Sequence, residues 1–293
     1  MAQDANVELE VKLTLDPQDL GRAKAALETL TGCETAPPVV LRNIYYDTPG
    51  FTLNRERMAL RVRQKGSRFI QTLKTRGDFV DGGHRRMEWE WLLESAELDL
   101  ALLAETPLGD QVSLDQLKPV FETNFERQVL MATESGSDRD TLVEVAIDQG
   151  RILSGDQLSA LSEIEFELKS GNPSALRDMA VKLAESVPVF LNVISKAEQG
   201  YHLAGVESPF PESTGDLNVY GFFHCLSACW LRRVAFPSVA DISRLRRAAV
   251  TAGVSEDFER LFTQLHSGRP VNELVADGLM GRVQLALAGV QGF

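Results

Sequence analysis

The sequence predicts an α+β protein in which antiparallel strands fill residues 1–205 and helices form a small C-terminal appendage. The first observation is the strict apolar and polar alternation from Val7 to Leu15, which is typical of a half-buried strand. The second is a series of similar runs separated by short turn clusters, which favours antiparallel hairpins. The third is the loss of alternation after about Tyr201, where helical spacing begins.

A helix is predicted directly after the first strand. Asp16 and Pro17 fit an N-cap and a first helical position, and Gly32 fits a helix end. The apolar stripe between them consists of Leu20, Ala23, Leu27 and Leu30. A second helix is predicted to begin at Asn172 and Pro173, with an apolar side formed by Leu176, Met179, Ala180 and Leu183.

The middle of the chain is predicted to be mainly strands. The strand-like runs are Leu41–Tyr46, Ala59–Arg63, Arg68–Lys74, Arg86–Leu93, Asn124–Ala132, Thr141–Ile147, Gly150–Ser154 and Ser162–Leu168. Turns are predicted at Thr48-Pro49-Gly50, Lys65-Gly66-Ser67, Arg76-Gly77-Asp78 and Asp148-Gln149-Gly150. We therefore expect a break in the chain direction at each of these four clusters.

The C-terminal part is predicted to be helical and separated from the strands by a linker. The Pro- and Ser-rich segment around residues 206–216 is predicted to be that linker, and residues 217–293 are predicted to form the appendage. Helices are expected over Gly221–Val234, from a Ser255 cap, and from Pro270 to Leu287.

Composition limits the class of protein and its partners. With 44% hydrophobic and 25% charged residues, the chain resembles ordinary globular proteins. Its net charge of −12 argues against nucleic acid or an anionic membrane as the main partner. Three cysteines cannot supply a secreted disulfide framework, and the acidic start lacks the pattern of a signal peptide. We expect a cytoplasmic protein without a membrane span, and the oligomeric state stays open.

The polar faces of the predicted strands carry an unusual amount of charge. Residues that share a face are Glu8, Glu10 and Lys12; Arg61 and Arg63; Thr72 and Lys74; Glu88 and Glu90; Glu144 and Asp148; and Glu163, Glu165, Glu167 and Lys169. An open sheet with a solvated outer face would explain any one strand. Six strands with the same pattern favour a closed barrel with these faces turned inward. Its lumen would contain both positive and negative charges, because buried charges must pair with each other or with ligands.

Acidic and basic residues in one lumen indicate a specific chemistry. Clustered carboxylates suit a hard divalent cation such as Mg²⁺, and clustered arginine and lysine suit phosphate oxygens. Together they predict a metal–polyphosphate site that acts by positioning and charge stabilisation. Because the sequence lacks a Gly-rich P-loop, this is not a Walker-type site.

Motifs in a fixed order then give a family resemblance. They are Glu8-Leu9-Glu10-Val11-Lys12, Tyr45-Tyr46-Asp47-Thr48-Pro49, Ala59-Leu60-Arg61-Val62-Arg63, Gln71-Thr72-Leu73-Lys74, His84-Arg85-Arg86-Met87-Glu88-Trp89-Glu90, Asn124-Phe125-Glu126-Arg127, Glu144-Val145-Ala146-Ile147-Asp148, Ser162-Glu163-Ile164-Glu165-Phe166-Glu167-Leu168 and Ser195-Lys196. This set, over residues 7 to about 203, resembles the CYTH superfamily of triphosphate tunnel metalloenzymes, and within it the bacterial inorganic triphosphatases. The resemblance implies an eight-stranded antiparallel closed β-barrel with flanking helices.

The resemblance also implies roles for individual residues. The catalytic cations that cradle the triphosphate would be Lys12, Arg61, Arg63, Lys74, Arg127 and Lys196. The main metal ligands would be Glu8, Glu10, Glu163 and Glu165. A second metal would be served by Glu90 and Asp148, with Glu88 and Glu144. The implied cofactor is Mg²⁺ or Mn²⁺, with two ions during turnover.

The implied reaction is hydrolysis of inorganic triphosphate to pyrophosphate and orthophosphate. On the same fold, the alternatives are a thiamine triphosphatase or a class IV-type adenylate cyclase, and spacing does not distinguish them. A non-catalytic polyphosphate-binding module is a further alternative, although an anion binder would gain by losing its carboxylates.

One part of the chain departs from the family pattern. Many relatives in the subgroup carry a basic, His- and Arg-rich helical CHAD domain at the C-terminus, whereas this tail is shorter and close to neutral. We expect a shortened appendage. His224, Cys225 and Cys229 are interpreted there as packing residues, since a zinc site would need a fourth ligand.

Overall fold

The protein is described by a computed structural model that covers residues 6–80, 83–110, 112–134, 140–206 and 217–290. The strands in these ranges are β1 (Asn6–Thr14), β2 (Val39–Asp47), β3 (Ala59–Lys65), β4 (Arg68–Lys74), β5 (Asp78–Val80), β6 (Gly83–Leu93), β7 (Lys118–Glu134), β8 (Thr141–Ser154), β9 (Gln157–Ser170) and β10 (Phe190–Leu191). The helices are α1 (Leu20–Thr31), α2 (Thr52–Arg55), α3 (Leu100–Ala104), α4 (Ser174–Ala184), α5 (Lys196–Leu203), α6 (Val219–Arg232), α7 (Ser243–Thr251), α8 (Ser255–Leu265) and α9 (Leu279–Ala288).

Eight of the strands form a closed antiparallel barrel. Its order is β1, β9, β8, β7, β2, β3, β4 and β6, and β6 pairs again with β1. The short strands β5 and β10 extend the sheet beside β6 and β1. The predicted eight-stranded barrel with flanking helices is therefore confirmed, and the open-sheet alternative is wrong.

The first strand closes the barrel by using two partners in turn. Residues Asn6 to Glu10 pair with β6, and residues Glu10 to Thr14 pair with β9. The seam therefore crosses the stretch that carries Glu8, Glu10 and Lys12, and it places these side chains between β6 and β9.

The expected turn at Asp148-Gln149-Gly150 is wrong, because β8 runs without interruption through these residues. Gly150 lies opposite Phe125 on β7, and a Cβ atom there would stand 2.2 Å from the carbonyl oxygen of Asn124. The glycine thus permits a close approach of two backbones rather than a turn. The consequence is a single long strand from Thr141 to Ser154 that carries Asp148 into the barrel.

The two helices predicted within the first 205 residues are confirmed. Asp16 caps a 3₁₀ turn that leads into α1, and Gly32 ends α1 in the left-handed conformation with φ 66°. In α4 the four predicted apolar residues are all buried. Both helices pack on the outside of the barrel and share its apolar core.

The C-terminal part is helical as predicted, but several details differ. Ser255 is the first residue of α8 and Val254 is its N-cap, so the serine does not cap the helix. Pro270 precedes a 3₁₀ turn, and the last helix begins only at Leu279, after the left-handed Gly278. Helix α7 was not predicted. The expected linker falls mostly on residues 207–216, which lie outside the described residues.

The C-terminal helices α6 to α9 pack against the barrel rather than apart from it. Phe222, Phe258 and Val283 belong to one hydrophobic cluster with Val11 of β1 and Phe166 of β9. None of the helices in the described ranges has the length and apolar run that crossing a bilayer requires.

Candidate active site

A cavity of about 230 Å³ fills the barrel lumen and is lined mainly by charged side chains. Twelve of the fourteen residues predicted for the site line it: Glu8, Glu10, Lys12, Arg61, Arg63, Lys74, Glu88, Glu90, Arg127, Glu144, Glu165 and Lys196. The other two, Asp148 and Glu163, lie directly behind this lining and contact it through ion pairs. The alternation of the strands thus sends the charged faces inward.

Two carboxylates of β1 form ion pairs with cations of β4 and β6. Lys74 lies 2.8 and 2.7 Å from the two carboxylate oxygens of Glu8, and Arg86 donates to Glu8 at 3.1 Å and to Glu10 at 2.7 Å. Lys74 also approaches Glu88 at 3.2 Å. We call this set, Glu8, Glu10, Lys74, Arg86 and Glu88, the seam cluster.

A second cluster joins β7, β8, β9 and α5. Arg127 donates to both oxygens of Asp148, at 2.7 and 2.6 Å, and to Glu165 at 2.6 Å. The Nζ of Lys196 lies 2.7 Å from Glu165, 2.8 Å from Glu163 and 2.9 Å from Asp148. We call these residues the floor cluster. The ring of Phe125 packs under both cations, 5.7 Å from Arg127 and 5.3 Å from Lys196.

The position of Lys196 is fixed by the start of helix α5. Ser195 and Glu198 form a capping box, in which each side chain accepts a hydrogen bond from the other residue's backbone N–H. Lys196 is the first residue of the helix and is only 7% exposed. A local helix signal therefore carries an ammonium group into the barrel.

Asp148 and Glu163 are more deeply buried than any other predicted site residue. Their exposures are 0% and 1%, and neither borders the cavity. In addition to its ion pair with Lys196, Glu163 accepts a hydrogen bond from Gln199 at 2.7 Å and lies 3.9 Å from Lys12. Lys12 in turn donates to the carbonyl oxygen of Ile194.

Arg61 and Arg63 of β3 stand apart from both clusters. Among the described residues, neither forms an ion pair with a carboxylate, and the buried Nε of Arg61 has no hydrogen-bond partner. The Nε of Arg63 donates to Asn43 at 2.7 Å, and Asn43 is anchored to the carbonyl oxygen of Thr123. Both side chains line the cavity, and within the described ranges no carboxylate lies at ion-pair distance from either guanidinium group. Burial acts to lower the pKa of Arg61, but the nearby Tyr45, Glu88 and Glu90 outweigh it.

Burial and neighbouring charge shift the pKa of several lumen groups. Burial lowers the pKa of Arg63, and the adjacent Arg61 and Arg127 lower it further. Burial acts to raise the pKa of Glu8, but Lys74 and Arg86 outweigh it, so the pKa lies well below the ordinary value. The pKa of Glu165 is low for the same reason, with Lys196 and Arg127 as the cations. An anion bound at Arg61 and Arg63 would relieve the repulsion that lowers the pKa of Arg63.

The pKa of Glu10 is raised, whereas the pKa values of Glu8 and Glu165 are lowered. Burial raises its pKa, and although Arg86 opposes this, Glu8 and Glu165 raise it further. Three carboxylates therefore come close enough to repel one another in a space of low exposure.

The carboxylate oxygens of the lumen are suitable ligands for a divalent metal ion. Carboxylate oxygens, which Mg²⁺ and Mn²⁺ prefer, line the lumen together with the hydroxyl groups of Tyr45, Thr72 and Ser195. A bound cation would relieve the mutual repulsion at Glu10. Within the described ranges, no three His, Cys, Asp or Glu side chains are gathered as a ready metal cluster. Lysine and arginine instead occupy carboxylate oxygens in both clusters.

Sequence reasoning missed one central residue of the site. Arg86 lines the cavity and bridges Glu8 and Glu10, yet it was not among the predicted residues. The available signal was its spacing, since Arg86 shares a strand face with Glu88 and Glu90. Glu90 itself accepts a hydrogen bond from Thr72 at 3.1 Å.

Tyr45, Glu167 and Lys169 also line the cavity. Of the Tyr45 and Tyr46 pair only Tyr45 does so, as the alternation of β2 requires. Lys169 pairs with Glu167 at 2.6 Å and keeps about a third of its side chain exposed, so it lies at the rim of the cavity, near the end of β9.

Cys225 and Cys229 are buried on α6 as free thiols. They belong to the hydrophobic cluster under the C-terminal helices, as expected for packing residues.

The sequence matches a known family over most of the barrel. Residues 6–201 match the CYTH domain model, which is two thirds of the chain, so the protein belongs to the CYTH family. Enzymes of this family with triphosphatase activity are generally metal-dependent.

One curated relative and two solved structures illustrate the likeness. An inorganic triphosphatase of Haemophilus influenzae is 36% identical over 197 residues, which cover 67% of this chain and 54% of the relative. The chain thus spans about half the length of that relative. A Hippeastrum protein assigned as an adenylyl cyclase, with a dominant triphosphatase activity, is 17% identical with a TM-score of 0.47, covering 69% of this chain and 98% of that one. The inorganic triphosphatase NE1496 is 17% identical with a TM-score of 0.22, covering 59% and 79%.

Proposed function

We propose that the protein is a divalent-metal-dependent inorganic triphosphatase that hydrolyses tripolyphosphate to pyrophosphate and orthophosphate inside the barrel. The observation that carries the proposal is a pair of guanidinium groups at the cavity, buried Arg61 and half-buried Arg63, without a carboxylate ion-pair partner among the described residues. A buried cation without a counter-ion is costly unless a ligand supplies one. Phosphate oxygens match the fork of guanidinium donors.

The remaining cations extend this anion site around the lumen. Lys12, Lys74, Arg127 and Lys196 reach the cavity from β1, β4, β7 and α5, so a linear triphosphate would meet positive charge on several sides. Each of these groups now has a carboxylate or carbonyl partner, which a bound phosphate would replace or share. The chain's role is then to hold the three phosphoryl groups in one orientation and to stabilise charge that develops on the bridging oxygen.

The predicted metal ligands that border the cavity would hold the metal. These are Glu8, Glu10, Glu88, Glu90, Glu144 and Glu165, and the proposed ion is Mg²⁺ or Mn²⁺, with two ions during turnover. When bound, the metal would offset phosphate charge and acidify a water molecule for attack on a phosphorus atom.

Asp148 and Glu163, which were predicted as metal ligands, fit a different role better. Their oxygens are buried behind the lining. Asp148 accepts hydrogen bonds from Arg127, Glu163 accepts one from Gln199, and both carboxylates form ion pairs with Lys196. We propose that they are positioning residues that fix Arg127 and Lys196 at the cavity surface. Their role as metal ligands stays a prediction.

The division of the chain and its location are part of the same proposal. The tunnel domain would comprise residues 1–205, followed by a linker at 206–216 and a helical appendage at 217–293. The three cysteines are free thiols, which is consistent with a reducing cytoplasm.

A phosphate-release assay tests the function. Purified protein is offered tripolyphosphate, ATP, thiamine triphosphate and pyrophosphate, each with Mg²⁺, with Mn²⁺ and with EDTA. We expect tripolyphosphate to be the best substrate, with no release in EDTA. Glu10→Gln keeps the shape of the side chain but removes a ligand charge, so it should lower kcat by about 100-fold or more.

A matched control is Glu122→Gln, which changes the same charge outside the cavity lining and should leave the rate unchanged. Release that persists in EDTA, or that survives Glu10→Gln, would contradict the proposal. Cyclic AMP formed from ATP would instead support the cyclase, and binding of tripolyphosphate without turnover would support a non-catalytic module.

A further inference from the structure

A second cavity, of about 120 Å³, adjoins the barrel lumen at one end. It shares Lys12, Lys74 and Arg86 with the lumen, so the two spaces lie side by side along these three side chains. We call it the mouth pocket. Six cationic side chains line it against two carboxylates, Glu10 and Glu198.

The outer wall of the mouth pocket comes from three separate segments. Arg55 and Arg57 lie at the end of α2, Arg76 lies in the loop after β4, and Tyr220 and His224 lie on α6. Helix α6 is outside residues 6–201, which match the CYTH domain. The C-terminal segment of this chain therefore supplies part of the wall of a space that adjoins the barrel lumen.

The described carboxylates of the mouth pocket do not balance its positive charge. Within the described residues, the side chains of Arg57 and Arg76 are exposed and form no ion pair or hydrogen bond. Both carboxylates of the pocket already have hydrogen-bond donors. Glu10 accepts a hydrogen bond from Arg86, and Glu198 accepts one from the backbone N–H of Ser195. An anion that enters the pocket meets an excess of positive charge.

Two further observations indicate that this wall is built for a ligand. Arg57 adopts the left-handed backbone conformation with φ 56°, which is uncommon for a residue with a side chain and costs conformational energy. In addition, the buried Nδ1 of His224 has no hydrogen-bond partner among the described residues. An imidazole nitrogen can donate to a phosphate oxygen or accept from a protonated one, according to its tautomer.

We propose that the mouth pocket is a second anion subsite, which binds the phosphoryl group that follows the first three in a linear polyphosphate longer than triphosphate. The proposal rests on the proposed function, because the first three phosphoryl groups would occupy the lumen. Arg57 and Arg76 supply the charge, and α6 supplies the imidazole of His224. Chain-length preference would then depend on a helix outside the barrel.

Calorimetric titration of the full chain with tripolyphosphate and with tetrapolyphosphate, in EDTA to prevent turnover, tests the subsite. We expect tetrapolyphosphate to bind about tenfold more tightly, the effect of one added charge-assisted hydrogen bond. Arg57→Gln and Arg76→Gln should each reduce that ratio to about twofold or less. The matched control Arg151→Gln removes the same charge from an exposed position on β8 and should leave the ratio at about tenfold.

His224→Gln tests the contribution of α6 and should also reduce the ratio, with thermal melting used to verify that the variant is folded. Equal affinity for the two polyphosphates, no binding of either, or an equal loss in Arg57→Gln and Arg151→Gln would overturn the subsite. The phosphate-release assay decides the proposed function separately, since an enzyme could hydrolyse tripolyphosphate without any fourth subsite.

Discussion

Single residues in the lumen divide into charges that the chain compensates and charges that it does not. In the floor cluster, Asp148 is fully buried and receives three charge-assisted contacts from Arg127 and Lys196. Arg61 and Arg63 have no such partner among the described residues. The difference separates residues that organise the site from residues that are available to a ligand.

Asp148→Asn tests the organising role. The substitution keeps the shape of the side chain but leaves Arg127 and Lys196 with less compensation, so we expect a loss of about 3–5 kcal/mol in the free energy of unfolding. Urea denaturation measures this loss. The control is Glu144→Gln, because Glu144 is partly exposed and its ion pair with Lys169 is 3.7 Å long, so its loss should cost less than about 1 kcal/mol. Equal losses in the two variants would contradict the role of Asp148.

The sequence predicted which residues face the lumen but not how they are paired. Alternation places Glu8, Glu10 and Lys12 on one face of β1 whatever the partner strands are. The depth of Asp148 and Glu163 depends instead on where α5 crosses the barrel, and that crossing is not encoded in any local pattern. The bridging role of Arg86 likewise depends on the register between β1 and β6.

At the scale of elements, the long strand β8 shows where local patterns mislead. Glycine in a polar stretch predicts a turn, whereas here Gly150 permits the close contact of β8 with β7. The helix ends were predicted well where a side chain caps them, as at Asp16. The starts of α8 and α9 were missed, because neither Val254 nor Gly278 caps its helix with a side chain.

Gly150→Ala provides a test of this contact. The added methyl group would lie 2.2 Å from the oxygen of Asn124 and 2.4 Å from the Cα of Phe125, so the strands must separate. We expect a loss of about 1–3 kcal/mol in the free energy of unfolding. Gly21→Ala in α1 is the control, since nothing lies within 4 Å of its added methyl group and a small gain is expected. A neutral Gly150→Ala variant would show that the close approach is not required.

For the whole molecule, the barrel and the C-terminal helices form one packed body. Gln284 of α9 is fully buried and exchanges two hydrogen bonds with Leu191 of β10, at 3.0 and 2.9 Å, as a neighbouring strand would. Phe190 beside it packs against the ring of Trp230 on α6. The helices therefore cover an edge of the sheet as well as an apolar surface.

A chain shortened to residues 1–206 should consequently lose stability. Removal of α6 to α9 exposes Phe190 and Leu191, together with the buried side of α4. We expect a lower unfolding midpoint in urea and stronger binding of a hydrophobic dye than in the full chain. An unchanged midpoint with no dye binding would show that the barrel is stable without its helices.

The way in which β1 closes the barrel has a consequence for biosynthesis. The ribosome releases β1 early, but its two partners are β6 and then β9, which ends only at Ser170. Such distant pairing forms slowly, because the chain loses the conformational entropy of closing a long loop before the stabilising contacts between the strands are made. Until then the strand that carries Glu8 and Glu10 has both edges open, so the nascent protein depends on protection from association with other chains at that stage.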